Sequence, residues 1–415
     1  MISKDWNIMM QIRDMSQFLQ DSSIPFKNIW CHPDCAFLTA DPDISVTHDY
    51  DEIDDDTLIV IPLNMVRHAM MRDKHAQYVE MISRMIKWKN ENYFIFNAVH
   101  EFWTPLYTDR IHRFMDEMEI QDGKLIWYTS QLNAPERYAE YCDLNNIEPR
   151  LHVAVNDVYW FRLYEKYIGN GWQRPEEITG KYVCLSSRQK PERMATHLLM
   201  EHYQLIDDHE VSFGNIKLFE EDTDFTETMF AKLCKKYPNY ETVFRQGMTT
   251  IKLPQTKQGD DWRGWVVKDD TDNIVRVDYN MPCMRPELFF ENADFNLVME
   301  TVTDDDTLAF TEKTWRCIAN GVPFFVVTSS GALKKFYQKY GFQSQEPWID
   351  ESYDNISDPV TRIDTILVQI RKLLWKDDYQ DWITGLRKTA DINRKICWEK
   401  YGRNSNENSN VTRSA

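Results

Sequence analysis

Three short passages of this chain combine residue types able to handle a phosphorylated ligand or a proton. The densest is Thr311-Glu312-Lys313, which opens the helix-forming stretch 312–320 directly after a polar loop. A threonine in that place can cap exposed backbone amides, and the positive end of the helix points back at the loop. An anion docked there would meet the amides and the Lys313 ammonium, in charge-assisted hydrogen bonds of roughly 1.5–3 kcal/mol each. Glu312 repels phosphate but suits the hydroxyl pair of a ribose, so the two side chains together fit a nucleotide. The plainer reading is a solvated first turn. Arg316, one turn further on, is either another cation for the anion or a salt-bridge partner.

The second passage is the polar turn SSRQKP and the helix start after it, with Arg188, Lys190 and Arg193 within six residues. They are three cations at a helix N-terminus, open to the same two readings of diphosphate contact or solvated surface. The third passage is His100-Glu101, which follows the apolar run NYFIFNAV. A carboxylate at the exit of a strand can take a proton from a hydroxyl, with the imidazole orienting it or substituting for it, and the alternative is a capping pair. Asn133, after KLIWYT, is a further polar group at a strand exit. Asp304-Asp305-Asp306 matches an acidic metal-binding pattern by letters, and Cys31-His32-Pro33-Asp34-Cys35 offers possible zinc ligands without a second ligand pair. Neither is expected to hold a metal.

These groups need a scaffold, and the chain alternates apolar runs with helical stretches, the pattern of a parallel α/β layering. Strands are expected at 57–62, 92–99, 124–129, 181–185, 294–301 and 323–328. Helices are expected at 78–89, 110–118, 192–203, 312–320, 332–340, 360–375 and 379–401. The polar passage GNGWQRPEEITG (169–180) is the best boundary, because a strand, loop and helix unit restarts immediately after it. Between 237 and 290 the pattern is less regular, and WRGWVVKDDTDNIVRVDY (262–279) reads as a β-hairpin turning at 270–273.

At 415 residues the chain is too long for one ordinary core. Its formal net charge of −18 argues against broad, non-specific DNA binding, although a local basic groove remains compatible with an acidic total. The 8 cysteines lack framework spacing and read as reduced thiols. No apolar run approaches the roughly 20 residues that cross a bilayer, and a cytoplasmic location is expected.

The stretch TEKTWRCIANGVPFFVV (311–327), with FNLVMET before it and GF…WIDESYD after it, resembles the donor domain of GT-B glycosyltransferases. It is similar above all to the α-1,3-fucosyltransferase-like group and its viral and phage relatives. The resemblance extends to 181–214 and is looser in the N-terminal half. It implies an α/β fold of two Rossmann-like domains facing across a cleft, with C-terminal helices crossing back. The domains would be 1–175 for the acceptor and 176–375 for the donor with the hairpin inserted. A helix at 376–403 would return to the first domain, and 404–415 would be a disordered tail. Glu312 would bind the donor ribose, and Lys313, Arg188, Lys190 and Arg193 the diphosphate, with Thr311 and Arg316 beside them. Glu101 with His100 would serve as the base, and Asn133 would lie on the acceptor side.

The resemblance further implies a UDP- or GDP-sugar as co-substrate, no bound cofactor and no metal. The acceptor would be a glycan or lipid-linked saccharide, or a hydroxymethylated pyrimidine in phage DNA inside the host cytoplasm. For DNA, Arg67, Arg72, Lys74, Arg84, Lys87 and Lys89 would supply part of a basic stripe. The competing expectation is a non-catalytic nucleotide- or sugar-binding protein on a degenerate transferase scaffold.

Overall fold

The computed structural model describes residues 28–31, 45–47, 49–54, 57–62, 92–97, 105–155, 157–158, 160–161, 164–165, 172–186, 190–207, 209–213, 225–250, 265–268, 274–277, 290–303 and 307–402. The chain divides into two compact units, Met1–Trp160 with Thr307–Ala309, and Phe161–Asp306 with Phe310–Ala415.

The first unit is built on a six-stranded parallel sheet. Its strands are β1 (Asn28–Cys31), β2 (Ser45–Thr47), β3 (Thr57–Pro62), β4 (Phe94–Asn97), β5 (Leu125–Thr129) and β6 (Leu151–Val155), in the order β2-β1-β3-β4-β5-β6. Leu125–Thr129 is buried at every residue, as expected of a parallel strand covered on both faces. One face carries Phe94, Phe96, Leu125 and Trp127, and α1 (Pro105–Glu117) lays Ile111, Phe114 and Met115 against them. The helix α2 (Ala134–Asn145) adds Ala134, Tyr138 and Cys142, one residue per turn.

The second unit holds β7 (Tyr182–Ser186), α3 (Pro191–His202), β8 (Glu210–Phe213), α4 (Phe225–Lys236) and α5 (Glu241–Thr250). Next come β9 (Trp265–Lys268) and β10 (Ile274–Val277), paired antiparallel as a separate two-stranded ladder. After them follow β11 (Phe295–Met299), α6 (Glu312–Asn320), β12 (Phe324–Val327), α7 (Ala332–Tyr340), α8 (Pro359–Leu374) and α9 (Tyr379–Tyr401). The main sheet is parallel, in the order β12-β11-β7-β8, and β11 and β12 are buried along their whole length. In both sheets the first strand sits between the second and the third, so each unit is doubly wound.

Asp294 anchors the amino end of the second sheet. Its buried carboxylate takes Arg387 at 2.7 Å, the Tyr379 hydroxyl at 2.9 Å and the amides of Thr179 and Gly180 at 3.1 and 2.7 Å. Arg387 also donates to the carbonyls of Glu176 and Glu177 at 2.8 and 3.0 Å, which ties the polar passage 172–180 to α9 inside this unit. The same helix donates from Trp398 to the Ala319 carbonyl at 2.8 Å.

Differences from the sequence reading are concentrated in short or polar-ended elements. β1, β2, β6 and β8 span 3–5 residues, too few to show a period. Glu241–Thr250 is a helix within the passage read as less regular, and its Gly247 sits so close to α3 that a Cβ would lie 2.9 Å from the Leu198 carbonyl. The expected helix at 78–89 and the tail at 404–415 lie outside the described residues. Among those described, no helix is long and apolar enough to cross a membrane.

Candidate functional site

Strand order locates the site before any side chain does. From β7 the chain moves to β8 on one side, and from β11 it moves to β12 on the other. β7 and β11 are parallel neighbours, so their outgoing connections diverge and leave a crevice beyond their carboxyl ends, where doubly wound sheets bind ligands. Ser186 ends β7 and Met299 ends β11; α3 starts after one and α6 after the other.

Two lysines from these helix starts meet at one residue. Lys190, the N-cap of α3, donates from Nζ to the Thr301 carbonyl at 2.6 Å. Lys313, in the first turn of α6, donates from Nζ to Thr301 Oγ1 at 3.3 Å and to Thr311 Oγ1 at 3.1 Å, and pairs with Glu312 at 3.1 Å. Thr311 caps α6 as its residue type suggests, its hydroxyl accepting from the Lys313 amide at 3.5 Å. Lys313 and Glu312 keep 19% and 17% of their side chains accessible, enough to exchange these partners for a ligand.

Electrostatics behind the lysines favour an anion. Arg193 is buried, and its guanidinium makes long contacts to the Met299 and Glu300 carbonyls at 3.5 and 3.4 Å. Burial, and then the Arg193 charge, push the neighbouring His197 down to about 3, leaving the imidazole neutral. Arg316 is buried as well, its guanidinium 5.3 Å from the Phe290 ring centroid. Burial alone would raise Glu312, but Lys313, and Arg316 behind it, hold its carboxyl below the ordinary 4.5. Four cations, Lys190, Lys313, Arg193 and Arg316, face the two carboxylates of Glu312 and Glu300 here, so the crevice keeps a positive excess even though the chain as a whole is acidic.

The sequence-derived residues thus fall into three groups. Lys190, Thr311, Glu312 and Lys313 come together around Thr301. Arg193 and Arg316 lie beneath them, buried against carbonyls and an aromatic ring, and contribute field from below. Asn133 belongs to the first unit, where its Oδ1 accepts from the Leu308 amide at 2.9 Å and from Gln131 at 3.0 Å. Arg188, His100, Glu101 and Asp304–Asp306 lie outside the described residues. So do Cys35 and the basic residues between 67 and 89. Among the described residues, no group of three or more His, Cys, Asp or Glu side chains is arranged to hold a metal ion.

Sequence reasoning missed Glu300 and Thr301. They close the FNLVMET segment of the resemblance without a role there, and as a polar pair at the exit of an apolar run they carry a signal shared by most strand ends.

Fold and site together define a doubly wound α/β protein with a cationic crevice at the carboxyl edge of its second sheet. No protein-family model matches the sequence, and neither does any curated protein. Among solved structures, one similar chain is the DNA modifying enzyme beta-glucosyltransferase, studied with and without its substrate uridine diphosphoglucose. It is 11% identical, with a TM-score of 0.34, over 95% of this chain and 97% of that one. A variant of the T4 phage enzyme in complex with UDP-glucose is 11% identical, with a TM-score of 0.31, over 90% of this chain and 98% of that one.

Proposed function

We propose that this protein is a glycosyltransferase that takes a sugar from a nucleoside-diphosphate donor held at the carboxyl ends of β7 and β11. The observation that carries the reading is the meeting of Lys190 and Lys313, from two different helix starts, on Thr301 at the point where the connections diverge. A diphosphate is the ligand that two such ammonium groups and a positive floor suit best. The likeness of TEKTWRCIANGVPFFVV to the fucosyltransferase-like donor helix supports the same assignment.

In this reading Lys313 exchanges its longest contact, 3.3 Å to Thr301 Oγ1, for a phosphate oxygen. Glu312, kept ionised by its cationic neighbours, accepts from the ribose hydroxyls. Arg188, between β7 and α3 in the sequence, adds a third cation, and Arg193 and Arg316 act through their field. Glu101, oriented by His100, takes the proton of the acceptor hydroxyl. The oxygen bonds to the anomeric carbon, the bond from that carbon to the β-phosphate oxygen breaks, and its electron pair leaves on the diphosphate. Lys190 and Lys313 stabilise that departing charge. Asn133 serves the acceptor side. The acceptor is a hydroxyl, of a glycan or of a hydroxymethylated pyrimidine in DNA.

Incubation with labelled UDP- and GDP-sugars, together with hydroxymethylated duplex DNA or an oligosaccharide, tests this directly. Label should pass to one acceptor class, and Lys313→Ala should abolish the transfer. A chain that neither transfers nor hydrolyses any donor, yet binds nucleotide, is a binding protein and not a transferase.

A further inference from the structure

Glu300 is the first residue beyond β11 and is 1% exposed. Three donors converge on its carboxylate. Oε1 accepts from the Thr311 amide at 3.1 Å and from the Thr314 hydroxyl at 2.6 Å, and Oε2 accepts from the Thr311 hydroxyl at 2.6 Å. A hydroxyl has a single proton to donate. Because Thr311 gives that proton to Glu300, only its lone pairs remain, and they face the Lys313 amide at 3.5 Å and Nζ at 3.1 Å.

We propose that Glu300 is a positioning residue for the donor site: by fixing the Thr311 hydroxyl as an acceptor, it aims the Lys313 ammonium into the crevice. The inference rests on the reading of that crevice as a diphosphate site, and it adds a residue that touches neither sugar nor phosphate. A glutamine at the same place would present an amide NH2 to Thr311. That NH2 would compete with the Lys313 donors for the Thr311 lone pairs, and the threonine proton would have to turn away from residue 300. Lys313 would lose its Thr311 anchor, keeping only Thr301 and Glu312. Thr314, which bonds to Glu300 but not to Lys313, supplies the contrast: losing its hydroxyl leaves the relay intact.

The whole 415-residue chain is tested in two assays. The first is the rate at which Lys313 undergoes reductive methylation without ligand, read by peptide mass spectrometry. The second is binding of UDP and GDP by calorimetry. In Glu300→Gln and Thr311→Val, Lys313 should label about threefold or more faster, the release of one modest hydrogen bond. The nucleotide that binds should weaken by about tenfold. Thr311→Ser, which keeps the hydroxyl, and Thr314→Val should label like the parent. If Glu300→Gln does not fold, Glu300→Asp, which withdraws the carboxylate by one methylene, gives the same comparison.

Unchanged Lys313 labelling in a folded Glu300 variant overturns the proposal. So does equal acceleration in Thr314→Val, which would mark general loosening. A parent protein that binds neither nucleotide, while Lys313 labelling still responds to Glu300, removes the diphosphate reading and leaves the relay standing.

Discussion

Glu312 and Lys313 lie side by side in the sequence but answer to different parts of the molecule. Lys313 is held by Thr311 and Thr301, while Glu312 is held by Lys313 and by the field of Arg316 beneath it. A carboxylate whose folded pKa lies below its unfolded value stabilises the protein above that unfolded value, and the contribution disappears as pH falls through the folded one. For Glu312 that window begins near the ordinary 4.5 and extends downward. Urea unfolding of the parent and of Glu312→Gln at pH 6 and at progressively lower pH checks this. The stability gap between them should be present at pH 6 and shrink as the solution is acidified below about pH 4.5. A gap that stays constant would mean that the pairing with Lys313 contributes nothing.

At the scale of elements, α6 was readable because its signals are local: a threonine cap, Glu and Lys in the first turn, and Gly321 at the stop before an apolar strand. Gly321 has φ 63° and a Cβ there would lie 2.8 Å from Asp391 Oδ1 on α9. Gly321→Ala should therefore lower stability by about 1–2 kcal/mol, measurable as an earlier denaturant midpoint at unchanged slope. An unshifted midpoint would deny that the turn needs its glycine. What the sequence concealed depends on neighbours brought in by the fold. Arg193 and Arg316 read by type as cations for the anion, or else as a solvated side chain and a salt-bridge partner, and only the packing of β11 and Phe290 shows them turned inward. Gly247 lies in the passage read as less regular, yet it lets α5 approach α3. Glu300 and Thr301 acquire meaning only because β11 lies beside β7. Residue types were legible at both helix starts; their convergence on Thr301 depends on strand order.

Within the second unit, the two ends of the sheet have opposite electrostatic designs. At the amino end, Asp294 and Arg387 form a buried pair at 2.7 Å that binds β11, α9 and the passage 172–180 together. Asp294→Ala would leave the Arg387 charge buried without its carboxylate, and should reduce unfolding free energy by about 3–5 kcal/mol. A loss below about 1 kcal/mol in urea titration would contradict that role. At the carboxyl end, the cations gather around Thr301 and two of them retain contact with a neutral oxygen that a ligand can replace. This is the arrangement expected of a site that receives an anion and gives it up again. Calorimetric titration of UDP and of GDP into the parent, Lys190→Ala and Lys313→Ala tests the central claim most directly. One nucleotide should bind the parent at a single site, and each alanine variant should bind it about tenfold or more weaker. Binding unchanged in both variants would contradict the account.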